Sequence, residues 1–130
     1  MITLQDLFIM FSRLYLKFFR LLYYVSILVI FILSVVPNYD RLPDIFSLSD
    51  KLNHLAAFFV LAMLAFLSRF ERAFRLDIYF LVGYAVFIEM VQFFLPARFF
   101  SFGDVVADLL GVGCFLLIRE FVVQRSVGRV

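Results

Sequence analysis

Between positions 21 and 36 the chain reads LLYYVSILVIFILSVV, with no charge among sixteen residues. At a helical rise of about 1.5 Å per residue this run falls slightly short of a hydrocarbon core roughly 30 Å thick, so Phe18, Phe19 and a snorkelling Arg20 extend it. Pro37 closes the run, and the turn-formers and charges of NYDRLPD mark an aqueous loop. No small-x-small cleavage site follows, so the segment is expected to stay in the chain rather than leave as a signal peptide. A second apolar run covers residues 51–68 (KLNHLAAFFVLAMLAFLS), after which RFERAFRLD interrupts with five charges. A third covers residues 78–95 and ends at Pro96; a fourth covers residues 103–118 and ends at the charged tail beginning at Arg119. The connections are short, which predicts an all-α fold: a polytopic membrane bundle of four transmembrane helices with up-and-down topology. Ahead of the first span, Arg13, Lys17 and Arg20 share one helical face opposite Phe8, Phe11 and Phe18 or Phe19. An N-terminal interfacial helix and an extended first span fit that pattern equally well.

Composition narrows the solvent. The 130 residues suffice for one domain, 1–130, and show no internal repeat or low-complexity segment. Hydrophobic residues make up 65% of the chain, Phe occurs 20 times and 17% of residues are charged, too little polar surface to cover a water-soluble globule. A net charge of +2, without a basic run interleaved with aromatics, excludes nucleic acid as a partner. The single Cys114, in VGCFLL, forms neither an intrachain disulfide nor a multi-cysteine metal site and reads as a small apolar residue.

Basic residues orient the bundle. The N-terminal segment, the second loop and the tail carry Arg13, Lys17, Arg20, Arg69, Arg72, Arg75, Arg119, Arg125 and Arg129, nine in all, against Arg41, Lys51 and Arg98, three, on the other side. Both termini are therefore expected in the cytoplasm. In that orientation Asp50, Lys51 and His54 at the start of span two, Glu89 and Gln92 at the end of span three, and Asp104 and Asp108 at the start of span four share the outer tier. Asp50 with His54 and Asp104 with Asp108 are i and i+4 pairs, and Glu89 with Gln92 is an i and i+3 pair, so each helix aims its polar residues along one face. An ionised acid at mid-bilayer costs about 2.5–3.5 kcal/mol on insertion scales, so Glu89 and Asp108 need partners, with His54, Arg98 and Lys51 as the available cations.

Structural roles account for part of this set. Ser47 with Asp50 and Ser101 with Asp104 match the capping box S-x-x-D, in which the acid satisfies free amides at a helix start. Gly111 and Ala107 allow close helix contact, and Lys51 and Arg98 serve equally as headgroup anchors. Capping does not reach His54, Glu89 or Asp108, for which the structural reading is a satisfied buried network fixing helix register.

The order DKLNH, then EMVQ, then PARFFSFGDVVADLLG resembles the VanZ-like membrane proteins of bacteria. Members carry D-K-x-x-H at the start of one span, E-x-x-Q in the next, and R followed by S-x-x-D-x-x-x-[N/D]-x-x-G into the last. The match lies within residues 50–111 and includes Asp50, Lys51, His54, Glu89, Gln92, Arg98, Ser101, Asp104, Asp108 and Gly111; the first 49 residues match as one more span. Position 108, often Asn in the family, is Asp here. The resemblance implies a multi-pass protein of the bacterial cytoplasmic membrane, in a family whose namesake is associated with resistance to teicoplanin, a lipid-tailed glycopeptide.

Three functions compete. In the first, a site on the outer leaflet binds or remodels a membrane lipid, a lipid-linked envelope molecule or a lipoglycopeptide: Arg98 and Lys51 meet a phosphate or carboxylate, Asp50, Ser101 and Asp104 order the rim, and Gln92 completes the ligand-binding set. In the second, an embedded hydrolase or transferase uses His54 or Glu89 as general base, with Asp108 orienting the histidine and Arg98 stabilising phosphate charge. No serine or cysteine elbow supports a covalent serine mechanism. In the third, the polar cluster is internal glue. No cofactor or metal is expected, because no metal spacing such as H-E-x-x-H occurs. Oxygen-rich ligation of Mg²⁺, Ca²⁺ or Mn²⁺ by Asp50, His54, Glu89, Asp104 and Asp108 is a variant of the enzymatic reading.

The orientation has a direct test. Single cysteines at Asn38 and Phe99, in a Cys114→Ser background, are expected to react with an impermeant thiol reagent on intact cells. Protection of both, with labelling of Arg72→Cys, inverts the topology.

Overall fold

A computed structural model describes residues 4–36, 49–68, 71–96 and 100–127 of the chain. They form four helices, α1 (Leu4–Val35), α2 (Ser49–Ser68), α3 (Glu71–Phe93) and α4 (Phe102–Val127), and no strand occurs among the described residues. Three of them, α1, α2 and α3, are long and apolar enough to cross a membrane. In α4 the charges of Asp104, Asp108, Arg119 and Glu120 confine the uncharged run to residues 109–118.

The helices are longer than the apolar runs that announce them. α1 is continuous through the basic N-terminal segment, and its 32 residues extend about 48 Å. α3 begins at Glu71, inside the segment expected to be a loop. Its ERAFRLD sequence holds good helix formers and no Gly or Pro, and it places Phe74, Asp77 and Ile78 on one face, with Phe74 and Asp77 buried. α4 likewise runs past Arg119 to Val127, supported on its exposed side by Gln124 Nε2 donating to Glu120 Oε1 at 3.1 Å.

Packing follows from small residues and aromatic stripes. α2 and α4 pack most extensively, and they run parallel: Lys51 meets Asp104, His54 meets Asp108, and Phe59 meets Phe115. Gly111 sets their separation, because a Cβ there would collide with the Leu55 carbonyl oxygen and lie 3.0 Å from both the Leu55 carbonyl carbon and the Phe59 amide nitrogen. α1 and α3 form a second parallel pair. Tyr84 Oη donates to the Ile27 carbonyl at 2.7 Å, Phe31 stacks on Phe87 at 6.0 Å, and Gln92 Nε2 donates to the Ser34 carbonyl at 3.0 Å. On α1 the positions facing the core are Phe19, Tyr23, Ile27, Ile30 and Phe31, a stripe of helical period, whereas Phe8, Phe11, Leu14 and Phe18 are exposed.

The middle of the bundle is a dry core of Phe58, Leu61, Ala62, Ala65, Leu81, Ala85, Ile88 and Val112. At the end where α2 finishes, Phe66, Phe74 and Phe115 interlock edge-on or tilted at 5.4–6.3 Å. Arg119 lies over the Phe66 and Phe74 rings at 5.0 and 5.4 Å, a cation–π arrangement that seals this end. Polar pairs gather at the other end.

If Gly111 sets the α2–α4 distance, Gly111→Ala is expected to lower the thermal midpoint in detergent by an amount equivalent to about 1–3 kcal/mol of overpacking. Gly83, whose Cβ would meet nothing within 4 Å, is the control: Gly83→Ala is expected to be at least as stable as the parent.

Candidate functional site

The polar end is assembled from four elements. Ser101 precedes α4, and its Oγ accepts the Asp104 backbone N–H at 3.3 Å, which makes it the N-cap of that helix. In a complete capping box the Asp104 carboxylate would return to the Ser101 N–H. Here it does not. The Ser101 N–H donates instead to Glu89 Oε2 of α3 at 2.9 Å, and Asp104 Oδ1 takes Lys51 Nζ of α2 at 2.7 Å. The expected box is therefore shared between helices: α3 supplies the acid that ties the start of α4, and the acid of α4 is released to reach α2.

One turn deeper, His54 Nδ1 lies 2.9 Å from Asp108 Oδ1. Asp108 is fully buried, whereas the His54 side chain keeps 17% of its exposure. Against a carboxylate Nδ1 is the donor, which in a neutral ring places the lone pair on Nε2. His54, Glu89 and Asp104 each bring one nitrogen or carboxylate oxygen within 4.8 Å of the others. Both His54 and Asp108 are the sixth or seventh residue of their helices, about 9 Å along the axis from the helix start.

Two oxygens in this cluster lack hydrogen-bond partners: Glu89 Oε1 and Asp108 Oδ2. Glu89 and Asp108 are both wholly buried. Each such acceptor costs about 1–3 kcal/mol when withheld from water unpaired. A network built only to bind helices together would close them.

The structure thus brings together Lys51, His54, Glu89, Ser101, Asp104 and Asp108 from the sequence-derived set. Gln92 is buried nearby, and its Nε2 donates to the Ser34 carbonyl of α1, which ties α3 to α1. The Asp50 side chain, Arg98 and Ser47 lie outside the described residues. Two contributors carried no sequence signal as site residues: the Ser101 backbone amide, because the main chain has no motif, and the Ser34 carbonyl, because α1 looked like a featureless apolar span. Asp77, grouped with the loop charges in the sequence, is instead buried at the opposite end of the bundle.

The cap belongs to the Ser101 hydroxyl rather than to the Asp104 carboxylate. Ser101→Ala is therefore expected to cost about 1 kcal/mol of stability. Asp104→Asn, which loses a pair whose lysine is 63% exposed, is expected to cost less. Thermal unfolding of both variants in detergent checks the order, and an Asp104→Asn loss exceeding that of Ser101→Ala contradicts it.

Comparison of the chain with family models, curated proteins and solved structures gave no match.

Proposed function

We propose that this chain is a VanZ-like protein of the bacterial cytoplasmic membrane that crosses it four times, with both termini inside, and uses the polar end of the bundle to bind or remodel an outer-leaflet lipid, a lipid-linked envelope molecule or a lipoglycopeptide. The observation that carries the reading is the pair of buried acceptors, Glu89 Oε1 and Asp108 Oδ2, without hydrogen-bond partners at that end. Electrostatic capacity left unused inside a packed bundle is the mark of a group whose partner is a ligand. Support for the orientation comes from charge: the polar end is opposite to the Arg119 end, and the positive-inside count puts Arg119 in the cytoplasm. α4 supplies the fourth crossing while shielded by α2 and α3, so that Asp104 and Asp108 face protein and the bilayer meets Leu109, Leu110, Leu117 and Ile118. Lys51, exposed at the rim, meets a phosphate or carboxylate at headgroup depth, and Arg98 is the second cation that the sequence assigns to that side.

A second reading draws on one distance. The 2.9 Å His54–Asp108 pair is the geometry that prepares an imidazole as a general base for attack of water on a lipid-linked substrate. Binding is favoured over it because the His54–Asp108 contact is accounted for as a tie between α2 and α4, whereas the two unpaired acceptors still call for a partner.

The test separates ligand binding from scaffolding. Glu89→Gln keeps the side-chain size and an oxygen for the Ser101 amide, so its thermal midpoint in detergent is expected to stay near the parent's. Protection of cells against a lipid-tailed glycopeptide, and retention of that compound by purified protein, are expected to be lost in Glu89→Gln and in Arg98→Ala. Unchanged protection and retention in both variants would overturn the reading. Product released from a lipid-linked substrate by purified protein, and abolished in Glu89→Gln, would replace binding with catalysis.

A further inference from the structure

We infer that His54, Glu89 and Asp104 form the binding site of one divalent transition-metal ion, with Asp108 holding the histidine from behind. The three residues come from three different helices, yet each presents a ligating atom within 4.8 Å of the other two. Ligands about 2.0–2.2 Å from a common ion lie no more than about 4.4 Å apart, so side-chain shifts of a few tenths of an ångström bring the set to that spacing. The independent sign of a ligand is Glu89 Oε1: the residue is wholly buried, its other oxygen is held by the Ser101 amide, and this one has no partner.

The arrangement around the histidine points the same way. Metal-bound imidazoles characteristically donate their second ring N–H to a carboxylate, which fixes the tautomer and raises the basicity of the ligating nitrogen. Asp108 Oδ1, 2.9 Å from His54 Nδ1, is placed for that task, with Nε2 the nitrogen assigned to the ion. Hydrogen bonds hold the acids as well: Glu89 by Ser101 and Asp104 by Lys51. One imidazole and two carboxylates are a mixed nitrogen–oxygen set, which suits Zn²⁺ or Mn²⁺ better than the all-oxygen environments preferred by Ca²⁺ and Mg²⁺.

Charge balance supplies the functional reason. Among the described residues of the cluster, Glu89, Asp104 and Asp108 supply three carboxyl groups against one lysine, Lys51, so the site has more acidic than basic charge to offer. A divalent ion cancels this charge and leaves coordination positions through which an anionic headgroup can be held. The inference rests on the same outer site as the proposed function. The two fail separately, because metal titration contains no lipid ligand and ligand retention can be read with or without metal.

Full-length protein, purified in detergent with its affinity tag removed and stripped with a chelator, is titrated calorimetrically with Zn²⁺ and with Mn²⁺, using Ca²⁺ and Mg²⁺ as controls. The expected result is one Zn²⁺ or Mn²⁺ per chain, accompanied by a rise in thermal midpoint, with affinity falling at least tenfold in His54→Gln and in Glu89→Gln. If either variant does not fold, Asp104→Asn, at the rim of the cluster, is expected to show the same loss. Absence of a stoichiometric ion in the parent overturns the inference, as does binding in folded variants as tight as in the parent.

Discussion

The close approach of α2 and α4 is the constraint on which the rest of the structure depends. A parallel pair can bring the starts of two helices together only if a third returns the chain between them, which α3 does. At Gly111 the α4 backbone is pressed against the Leu55 carbonyl with no room for a Cβ, and small residues at such contacts are how membrane helices gain packing where the surrounding lipid is as apolar as their own side chains. This contact lies one turn beyond Asp108, whose carboxylate is thereby brought against His54. Lys51 and Asp104 continue the same register to the rim. A wider separation would leave each of these groups facing lipid or one another without contact.

The two ends of the bundle then do different physical work. Around Phe66, Phe74 and Phe115 an aromatic cluster closes the structure under Arg119, using dispersion and cation–π attraction that need no exact hydrogen bonding. At the other end, stability is lowered by burying Glu89 and Asp108 with half of each carboxylate unpaired. The dry core between the ends, and the α1–α3 ties at Tyr84 and Gln92, hold the helices that present these acids. Such a division, a rigid scaffold carrying an incompletely satisfied polar cluster, is the arrangement expected when binding energy is kept for a ligand.

Much of this was legible in the sequence, because a charge in an apolar run is conspicuous and its depth can be counted from the nearest proline. The helices, their order and the shared tier of His54, Glu89, Asp104 and Asp108 follow from spacing. Helix ends were less legible. ERAFRLD and REFVVQRSV carry enough charge to suggest loops, yet the first holds mostly good helix formers and neither has a Gly or Pro to stop a helix, so α3 starts early and α4 ends late. S-x-x-D at Ser101 correctly marked a helix start, but the motif cannot say which acid answers the Ser101 amide. Glu89, twelve residues earlier and on another helix, takes that place. Gln92 likewise makes a contact that no motif announces, donating from Nε2 to an α1 carbonyl.

The account stands or falls on whether His54 and Asp108 form a working pair inside the bundle rather than two separately tolerated polar residues. A double-mutant cycle of His54→Gln and Asp108→Asn, read by thermal unfolding of the full chain in detergent, measures that pairing without assuming any ligand. Residues in direct contact typically couple by about 0.5–3 kcal/mol. The account predicts coupling of about 1 kcal/mol or more, with the double variant less destabilised than the sum of the singles. Strictly additive losses would mean that the helices do not bring these two side chains together, and would contradict the site on which the proposed function is built.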